Sequence, residues 1–359
     1  MKMAVYRWIE SDSFPLDGIG VLRNKIKSPL PLSFPAKGKE WERCAAGRFH
    51  KSADATYVFK EGTQDTRIGH SYRRTRVSAV RTDERIIMAN YETILIERRD
   101  NIATITFNRP HKRNAMNPKL HQEMVEILTQ LRFDKDLRVL ILTGAGESFS
   151  AGEDLKEFFY EQRDRMEFER LLDKALEWRV RILRAFPVPT IAAINGYCFG
   201  GAFSIVSGCD IAIAADEATF GLSEVNFGHF PGGPVSKQIS EFMRVRDAIY
   251  YILTGDTFNG KRAAEIGFVT YSVPRASLME EVNKLASKLA EKDALALRAC
   301  KDAYRDSLLI PDFETALSYS SAKSDQLSFL QGGAWKDQGI KQFIEGQYRP
   351  GFGAFKKDK

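Results

Sequence analysis

One carboxylate, Glu224, lies in a run of small and apolar residues that begins at Ala218 and includes Gly221-Leu222-Ser223. A carboxyl group in such surroundings has its pKa raised by desolvation, which suits a general acid or base that works near neutral pH. A solvent-exposed Glu in a loop is the alternative interpretation, and composition leaves both open. His229 follows in a Gly- and Pro-rich turn, with neither a Ser-His-Asp order nor metal-ligand spacing around it.

Glycines mark three turns, each after a short apolar run typical of a buried strand, at 139–143, 190–194 and 211–214. In α/β proteins, ligands bind at the carboxyl ends of such strands, where glycine lets the backbone approach a ligand closely. Gly200-Gly201 opens an apolar helix, and N–H groups there could stabilise a developing negative charge. Tight packing of the helix on a strand would select the same glycines. The sequence contains neither a GxGxxG nor a P-loop motif.

The elements that must position these residues alternate between strands and helices. Apolar residues at every second position predict a hairpin over 94–106, and helical spacing predicts a helix over 118–131. Further helices are predicted at 164–185, 203–208, 234–254, 259–266, 276–291, 294–305 and 312–329. The alternation predicts parallel βαβ units, an α/β fold and a helix-rich C-terminal third.

The composition is typical of a soluble globular protein. The 359 residues are 43% hydrophobic and 28% charged, and no apolar run is long enough to span a membrane. The four cysteines form no CxxC pair, so we expect neither a disulfide framework nor a zinc site. A protein of a reducing compartment, the cytoplasm, is therefore expected.

Positive charge is concentrated at the N-terminus, where residues 1–90 carry 17 Lys and Arg against 10 Asp and Glu. We expect a basic, irregular extension over 1–87, an α/β core over 88–275 and a helical region over 276–359. A mature chain that starts at Met88 is one hypothesis. A basic extension can bind nucleic acid, so a nucleic-acid-binding protein is the alternative of another class. The lack of an RNP-like aromatic motif argues against that partner.

Over about residues 91–350 the chain resembles the crotonase (enoyl-CoA hydratase/isomerase) superfamily. The matching segments are Asn108-Arg109-Pro110 with Asn114-Ala115, Ser150-Ala151-Gly152 with Asp154-Leu155, Asn195-Gly196 with Gly200-Gly201, Cys209-Asp210, Phe220-Gly221 with Glu224, and Leu253-Thr254-Gly255. The resemblance implies a β-β-α superhelix, an acyl-CoA substrate, and a homotrimer or a dimer of trimers. It also implies that Glu224 is catalytic and that the N–H groups of Glu153 and Gly201 form an oxyanion hole.

The resemblance assigns binding residues as well. Lys112 would contact CoA, and the loop from Glu153 to Phe158 would flank the pantetheine and acyl groups. The full set of expected substrate- and CoA-binding residues is Lys112, Asp154, Leu155, Lys156, Glu157, Phe158, Ala202, Phe203, Ser204, Tyr250 and Tyr319.

Within the superfamily, the chain is similar to the hydroxycinnamoyl-CoA hydratase-lyases, notably at 142–147, 197–201 and 216–224. A single catalytic Glu is their pattern, and the resemblance places the second Glu of ordinary hydratases at Tyr250. It implies hydration of an aryl-enoyl-CoA and retro-aldol cleavage to an aromatic aldehyde and acetyl-CoA, with CoA present only as part of the substrate. Phe158 departs from the pattern, because the lyases hold the substrate's 4-hydroxyl with Tyr there. Hydration or isomerisation of another acyl-CoA is the alternative.

Overall fold

Eight strands form the larger of two sheets in the structure, a computed structural model that describes residues 79–82, 85–88 and 91–348. In spatial order these strands are β1 (Ala79–Thr82), β2 (Arg85–Met88), β3 (Ile94–Arg99), β4 (Ile102–Phe107), β5 (Val139–Gly144), β7 (Thr190–Ile194), β9 (Ile211–Ala215) and β12 (Tyr271–Val273). The first four pair antiparallel, and the strands from β4 to β12 run parallel. The predicted α/β class is confirmed.

The predicted hairpin is formed by β3 and β4. Its register pairs Ile94 with Phe107 and Arg99 with Ile102, and Asp100 takes a positive φ of 51° in the turn. Strands β5 and β7 are buried along their whole length. Parallel strands that are covered on both faces need apolar side chains on both sides, which explains their continuous hydrophobic runs.

Strands β1 and β2 lie at the end of the segment 1–87 that the sequence predicts to be mostly irregular, and β2 extends one residue beyond it. Their sequences, Ala-Val-Arg-Thr and Arg-Ile-Ile-Met, contain β-branched residues that favour strands. Strand β2 pairs with β3, and this long-range partner is invisible to a search for local periodicity. Residues 1–78, and with them most of the predicted basic extension, lie outside the described residues.

The second sheet contains four strands of three residues each, in the spatial order β11 (Thr257–Asn259), β10 (Thr219–Gly221), β8 (Tyr197–Phe199) and β6 (Ser148–Ser150). Strands β6, β8 and β10 are parallel, and each follows a strand of the large sheet after a tight turn. At Gly196 a Cβ would lie 1.8 Å from the carbonyl oxygen of Glu147, so only glycine fits. The chain therefore repeats strand, strand and helix, as the β-β-α expectation requires.

The helices are α1 (Pro118–Leu131), α2 (Arg165–Leu176), α3 (Ala202–Gly208), α4 (Val235–Phe242), α5 (Val245–Thr254), α6 (Gly260–Glu265), α7 (Leu278–Ala290), α8 (Ala294–Ser307), α9 (Phe313–Gln331) and α10 (Lys341–Ile344). Three further segments, Leu155–Tyr160, Glu177–Ile182 and Trp335–Ile340, form wide π-helical turns. The second of them continues α2. The helix predicted over 234–254 is two helices, because Met243 and Arg244 take extended backbone with ψ of 149° and 138°.

The C-terminal helices differ in burial. Helix α7 buries Leu278, Val282 and Ala286 against the core, whereas neither α8 nor α9 contains a fully buried residue. Within the part of the chain that the structure describes, no helix has the length and apolar character needed to cross a bilayer.

Candidate active site

Three loops meet at the carboxyl ends of the parallel strands β6, β8 and β10. The register places Ser150 beside Cys198 and Cys198 beside Phe220, so the residues that follow these strands share one edge of the small sheet. The loop after β6 carries Glu153, the loop after β8 carries Gly200 and Gly201, and the loop after β10 carries Glu224. The sequence placed these residues after strands of the large sheet and missed the short strands, which hold them together.

Glu224 lies in a 3-10 turn, Ser223–Phe227, and its side chain is half-buried. Its Oε2 is buried and has no hydrogen-bond partner among the described residues. A Cβ added to Gly200, whose φ is +49°, would lie 2.9 Å from Oε1 of Glu224. Burial raises the pKa of the Glu224 carboxyl above its usual range, while a backbone hydrogen bond and His229 act weakly in the opposite direction. These are the properties of a proton-transfer group.

Two backbone N–H groups next to Glu224 are free to bind an oxygen atom. Among the described residues, neither Glu153 nor Gly201 donates its backbone N–H to a protein acceptor. The two loops are close, since a Cβ on Gly152, at φ +89°, would lie 3.4 Å from the nitrogen of Gly201. Paired free donors beside a carboxylate can stabilise an enolate oxygen while the carboxylate moves a proton.

The side chain of Glu153 has a different environment from that of Glu224. Its Oε1 lies 2.6 Å from Nη2 of Arg179, and its Oε2 lies 2.8 Å from Nε2 of His121. Burial alone raises the pKa of the Glu153 carboxyl, but the charge of Arg179 and the contact with His121 outweigh it, so the pKa lies below its usual range. The Glu153 side chain therefore stays ionised and has no proton to transfer.

The predicted binding loop is fixed by Arg109. Nη1 of Arg109 lies 3.0 Å from Asp154 Oδ2, and Nη2 lies 2.6 Å from Glu157 Oε1. Asp154 also accepts hydrogen bonds from the N–H groups of Lys156 and Glu157, so it caps the wide turn that follows. Leu155 and Lys156 are exposed, as a surface that contacts a bound molecule requires. All three acidic side chains of the loop, Glu153 included, thus have structural partners.

Phe158 is buried, with its ring 5.2 Å from that of His121 and 4.9 Å from that of Phe159. Ala202, Phe203 and Ser204 are buried on α3. The ring of Phe203 stacks on Phe268 at 4.5 Å, so this predicted binding residue belongs to the aromatic core beneath the site.

Three further residues are predicted to bind substrate or CoA. Lys112 is exposed at the end of the 3-10 turn Pro110–Lys112. Tyr250 is exposed on α5, and its hydroxyl donates to Asp256 at 2.7 Å rather than to Glu224. The hydroxyl of Tyr319 on α9 bonds to Asp306 on α8.

Sequence analysis missed Arg179 and His121. Each occupies the apolar face of its helix, His121 one turn before Met124 and Arg179 one turn after Ala175. A charged or polar residue at an apolar position of a helical repeat is costly to bury unless it has a partner. That misplaced polarity is the signal that could have identified both.

Comparison with protein families matches residues 97–349 to the enoyl-CoA hydratase/isomerase family. The chain belongs to this family. A hydroxycinnamoyl-CoA hydratase-lyase of Pseudomonas fluorescens is 44% identical over 75% of this chain and 100% of its own length. A probable enoyl-CoA hydratase of Mycobacterium bovis is 34% identical over 71% of this chain and 96% of its own.

A solved structure supports the same family and fold. The crystal structure of an enoyl-CoA hydratase from Bacillus anthracis superposes with a TM-score of 0.65 at 29% identity, covering 71% of this chain and 97% of that one. The predicted family resemblance and the crotonase fold are therefore confirmed. As a member of the enoyl-CoA hydratase/isomerase family, the chain is an enzyme of the lyase class, and an acyl-CoA substrate fits that family.

Proposed function

We propose that this enzyme hydrates an aryl-enoyl-CoA of the hydroxycinnamoyl type and then cleaves the product to an aromatic aldehyde and acetyl-CoA. The observation that carries the proposal is a single proton-transfer carboxylate, Glu224, beside two free N–H donors on Glu153 and Gly201. The 44% identity to a hydroxycinnamoyl-CoA hydratase-lyase supports the choice of substrate class.

In the first half-reaction, the thioester carbonyl oxygen binds between the N–H groups of Glu153 and Gly201. Glu224 takes a proton from water, and the water oxygen bonds to the β-carbon. The π electrons move to the thioester, and the resulting enolate oxygen is stabilised by the two donors. Glu224 then gives its proton to the α-carbon, which yields the β-hydroxyacyl-CoA.

In the second half-reaction, Glu224 removes the proton of the β-hydroxyl group. The bond between the α- and β-carbons breaks, an aldehyde leaves, and the electron pair forms the enolate of acetyl-CoA in the same oxyanion hole. The protonated Glu224 then protonates the α-carbon, so the carboxylate returns to its starting state. One carboxylate serves both halves because it alternates between base and acid.

Among the described residues, the other carboxylates at the site are held in ion pairs and are poor replacements for Glu224. Glu153 is paired with Arg179, and both Asp154 and Glu157 are paired with Arg109. We further propose that the reaction needs no metal or redox cofactor, because every step uses groups of the chain and the thioester. CoA enters only as part of the substrate.

Phe158 bears on the acyl group that is accepted. It has no hydroxyl and packs on His121, so a substrate 4-hydroxyl would need a different partner. This favours one second candidate function, hydration of another enoyl-CoA without cleavage, which is what the M. bovis relative's name describes. The two functions share all steps up to the β-hydroxyacyl-CoA and differ in whether the carbon–carbon bond breaks.

We also propose that the enzyme works as a homotrimer or a dimer of trimers in the cytoplasm. The support is that helix α9 exposes large apolar side chains. Phe313 is 77% exposed and Phe329 is 86% exposed. Large apolar side chains that stay exposed at both ends of one helix favour an interaction surface there. Light scattering on the purified enzyme should give three or six times the mass of one chain, and a monomer would refute this.

The test of function is incubation with feruloyl-CoA, followed by liquid chromatography and mass spectrometry of thioester, aldehyde and acetyl-CoA. Vanillin and acetyl-CoA in equal amounts are expected. A hydrated thioester without aldehyde would leave the second candidate. Turnover of crotonyl-CoA or cinnamoyl-CoA alone would retain the family activity and exclude a hydroxyaryl substrate. A Glu224→Gln variant is the control for background hydrolysis.

A further inference from the structure

Arg179 contacts both halves of the candidate oxyanion hole. Its Nη2 lies 2.6 Å from Oε1 of Glu153, and its Nη1 donates to the carbonyl oxygen of Gly201 at 3.0 Å. Its Nε donates to the carbonyl oxygen of Ala175 at 3.1 Å, which ties the guanidinium to its own helix. Each of the three guanidinium nitrogens therefore has one partner, and the side chain is only 5% exposed.

A second buried link holds Glu153 from the other side. Trp178 Nε1–H donates to Nδ1 of His121 at 2.9 Å, so the proton of the neutral imidazole is on Nε2. That Nε2–H then donates to Oε2 of Glu153 at 2.8 Å. Both carboxylate oxygens are thus fixed, and burial lowers the pKa of His121, which favours this neutral form.

Apart from the pairing of β6 with β8, no backbone hydrogen bond among the described residues joins the two loops that carry the N–H donors. The loop of Glu153 bonds to Met116, through Met116 N–H to Gly152 at 2.8 Å and Asp154 N–H to Met116 at 2.9 Å. The loop of Gly201 bonds instead to β10, through Gly200 N–H to Gly221 at 3.0 Å. In the described part of the chain, Arg179 is the one side chain that hydrogen-bonds to both loops.

The charge of Arg179 matters as well as its geometry. A Cβ on Gly201 would lie 3.1 Å from Oε1 of Glu153 and 2.7 Å from Nη1 of Arg179. A carboxylate this close to the oxyanion hole would repel a developing enolate, and the guanidinium neutralises it. Arginine suits both tasks, because its planar fork can hold two acceptors in fixed directions while a lysine ammonium cannot.

We infer that Arg179 is the positioning residue of the oxyanion hole, holding the N–H groups of Glu153 and Gly201 at the spacing that an enolate oxygen requires and cancelling the charge of the Glu153 side chain. This inference rests on the proposed use of those two N–H groups. Loss of one oxyanion donor costs about 10²–10³ in rate. Loss of Arg179 would misplace both donors without removing them. We therefore expect kcat to fall at least about tenfold, but by no more than the loss of a donor itself would cost.

The test compares Arg179→Lys and Arg179→Met with Arg181→Met, a matched control. Arg181 is in the same π-helical turn, but it is exposed and pairs only with Glu177 on the surface. Two readouts are used for each protein. The first is kcat and KM with the enoyl-CoA that the wild type turns over. The second is the ultraviolet enolate band of bound acetoacetyl-CoA, a β-keto thioester that ionises without being turned over.

Both Arg179 variants should lose at least about tenfold in kcat with KM little changed, because a group that acts only on the transition state alters kcat and kcat/KM equally. Their enolate band should weaken in parallel, and Arg181→Met should match the wild type. Should Arg179→Met not fold, Arg179→Lys gives the same comparison. An Arg179→Lys enzyme with wild-type kcat and enolate band, and only a lower melting temperature, would overturn this inference alone. A wild type that turns over no enoyl-CoA and forms no enolate band would overturn the proposed function with it.

Discussion

Replacement of Glu224 by Gln should lower kcat by about 10²–10⁴, the usual weight of a general acid or base, which corresponds to about 3–5 kcal/mol of activation free energy. In the described part of the chain, the other carboxylates at the site are already paired and do not offer a substitute base. Glu153 is ionised and held by Arg179, and Asp154 and Glu157 are held by Arg109. Water alone would have to accept the proton, so activity should fall well below the wild-type level.

Folding should survive this change. Gln has nearly the shape of Glu, and the buried Oε2 of Glu224 has no hydrogen-bond partner to lose in the described structure. Because burial raises the pKa of Glu224, the unfolded chain ionises first as pH rises, and above the raised pKa the native state carries a desolvated charge. Glu224 therefore lowers the free energy of unfolding at neutral pH relative to acidic pH. The Gln variant should be at least as stable as the wild type at neutral pH, with the difference fading in acid.

The assay is steady-state kinetics over a range of pH, with urea unfolding as the stability measurement. Wild-type kcat/KM should fall as pH drops through a pKa above the ordinary range of Glu, because protonation removes the base. That acid limb should be absent from the residual activity of Glu224→Gln. Glu169→Gln, on the exposed face of α2, is the matched control and should behave as wild type. Near-normal turnover of Glu224→Gln would remove Glu224 from the mechanism.

Three further predictions follow from the same site and its support. Gly200→Ala should lower the free energy of unfolding by about 1–2 kcal/mol, because alanine disfavours the left-handed backbone there. The added Cβ should also displace the Glu224 carboxylate, so the melting temperature and kcat should both fall. A fully active variant would contradict this. Asp210 pairs with Lys301 at 2.7 Å and with Arg305 at 2.9 Å, so Asp210→Asn would leave both cations without their carboxylate. The free energy of urea unfolding should then fall by about 3–5 kcal/mol. A change below about 1 kcal/mol would show that these ion pairs do not stabilise the fold. Dialysis against EDTA should leave turnover unchanged, and activity that is lost and then restored by a divalent metal would contradict a cofactor-free reaction.

Periodicity predicts those parts of the fold in which burial is regular along the chain. Helix α1 begins and ends where its apolar spacing indicates, and the hairpin of β3 and β4 follows its alternation. Strands β6, β8 and β10 are three residues long, too short for any period to register. The break between α4 and α5 escaped for another reason, because apolar residues continue through Met243 while the backbone becomes extended.

The site was predictable where backbone and local composition define it, and unpredictable where distant side chains do. The apolar surroundings of Glu224 and the paired glycines are visible in sequence order. The partners of Glu153 come from 26 and 32 positions away, and no local pattern pairs a carboxylate with a particular Arg or His. The resemblance assigns Tyr250 and Tyr319 by their order along the chain, and that order does not reveal the hydrogen bonds of their hydroxyls to Asp256 and Asp306.

Two carboxylates meet at this site, and their partners rather than their burial decide what each can do. Desolvation acts on both Glu153 and Glu224 in the same direction, towards a higher pKa. Arg179 reverses the effect for Glu153, whereas no described residue forms an ion pair with the Glu224 carboxyl, and the effect of His229 does not outweigh burial there. When their surroundings give two acidic groups different pKa values, the difference indicates which of them transfers a proton. The Glu153 carboxylate is held by ion pairing and hydrogen bonding on both oxygens, so it can position its own backbone N–H but cannot transfer a proton. The Glu224 carboxylate is not held in this way, so it can take a proton from water and give it to carbon. The same arrangement explains why Glu153 could not rescue a Glu224 variant, although the two residues flank one glycine pair.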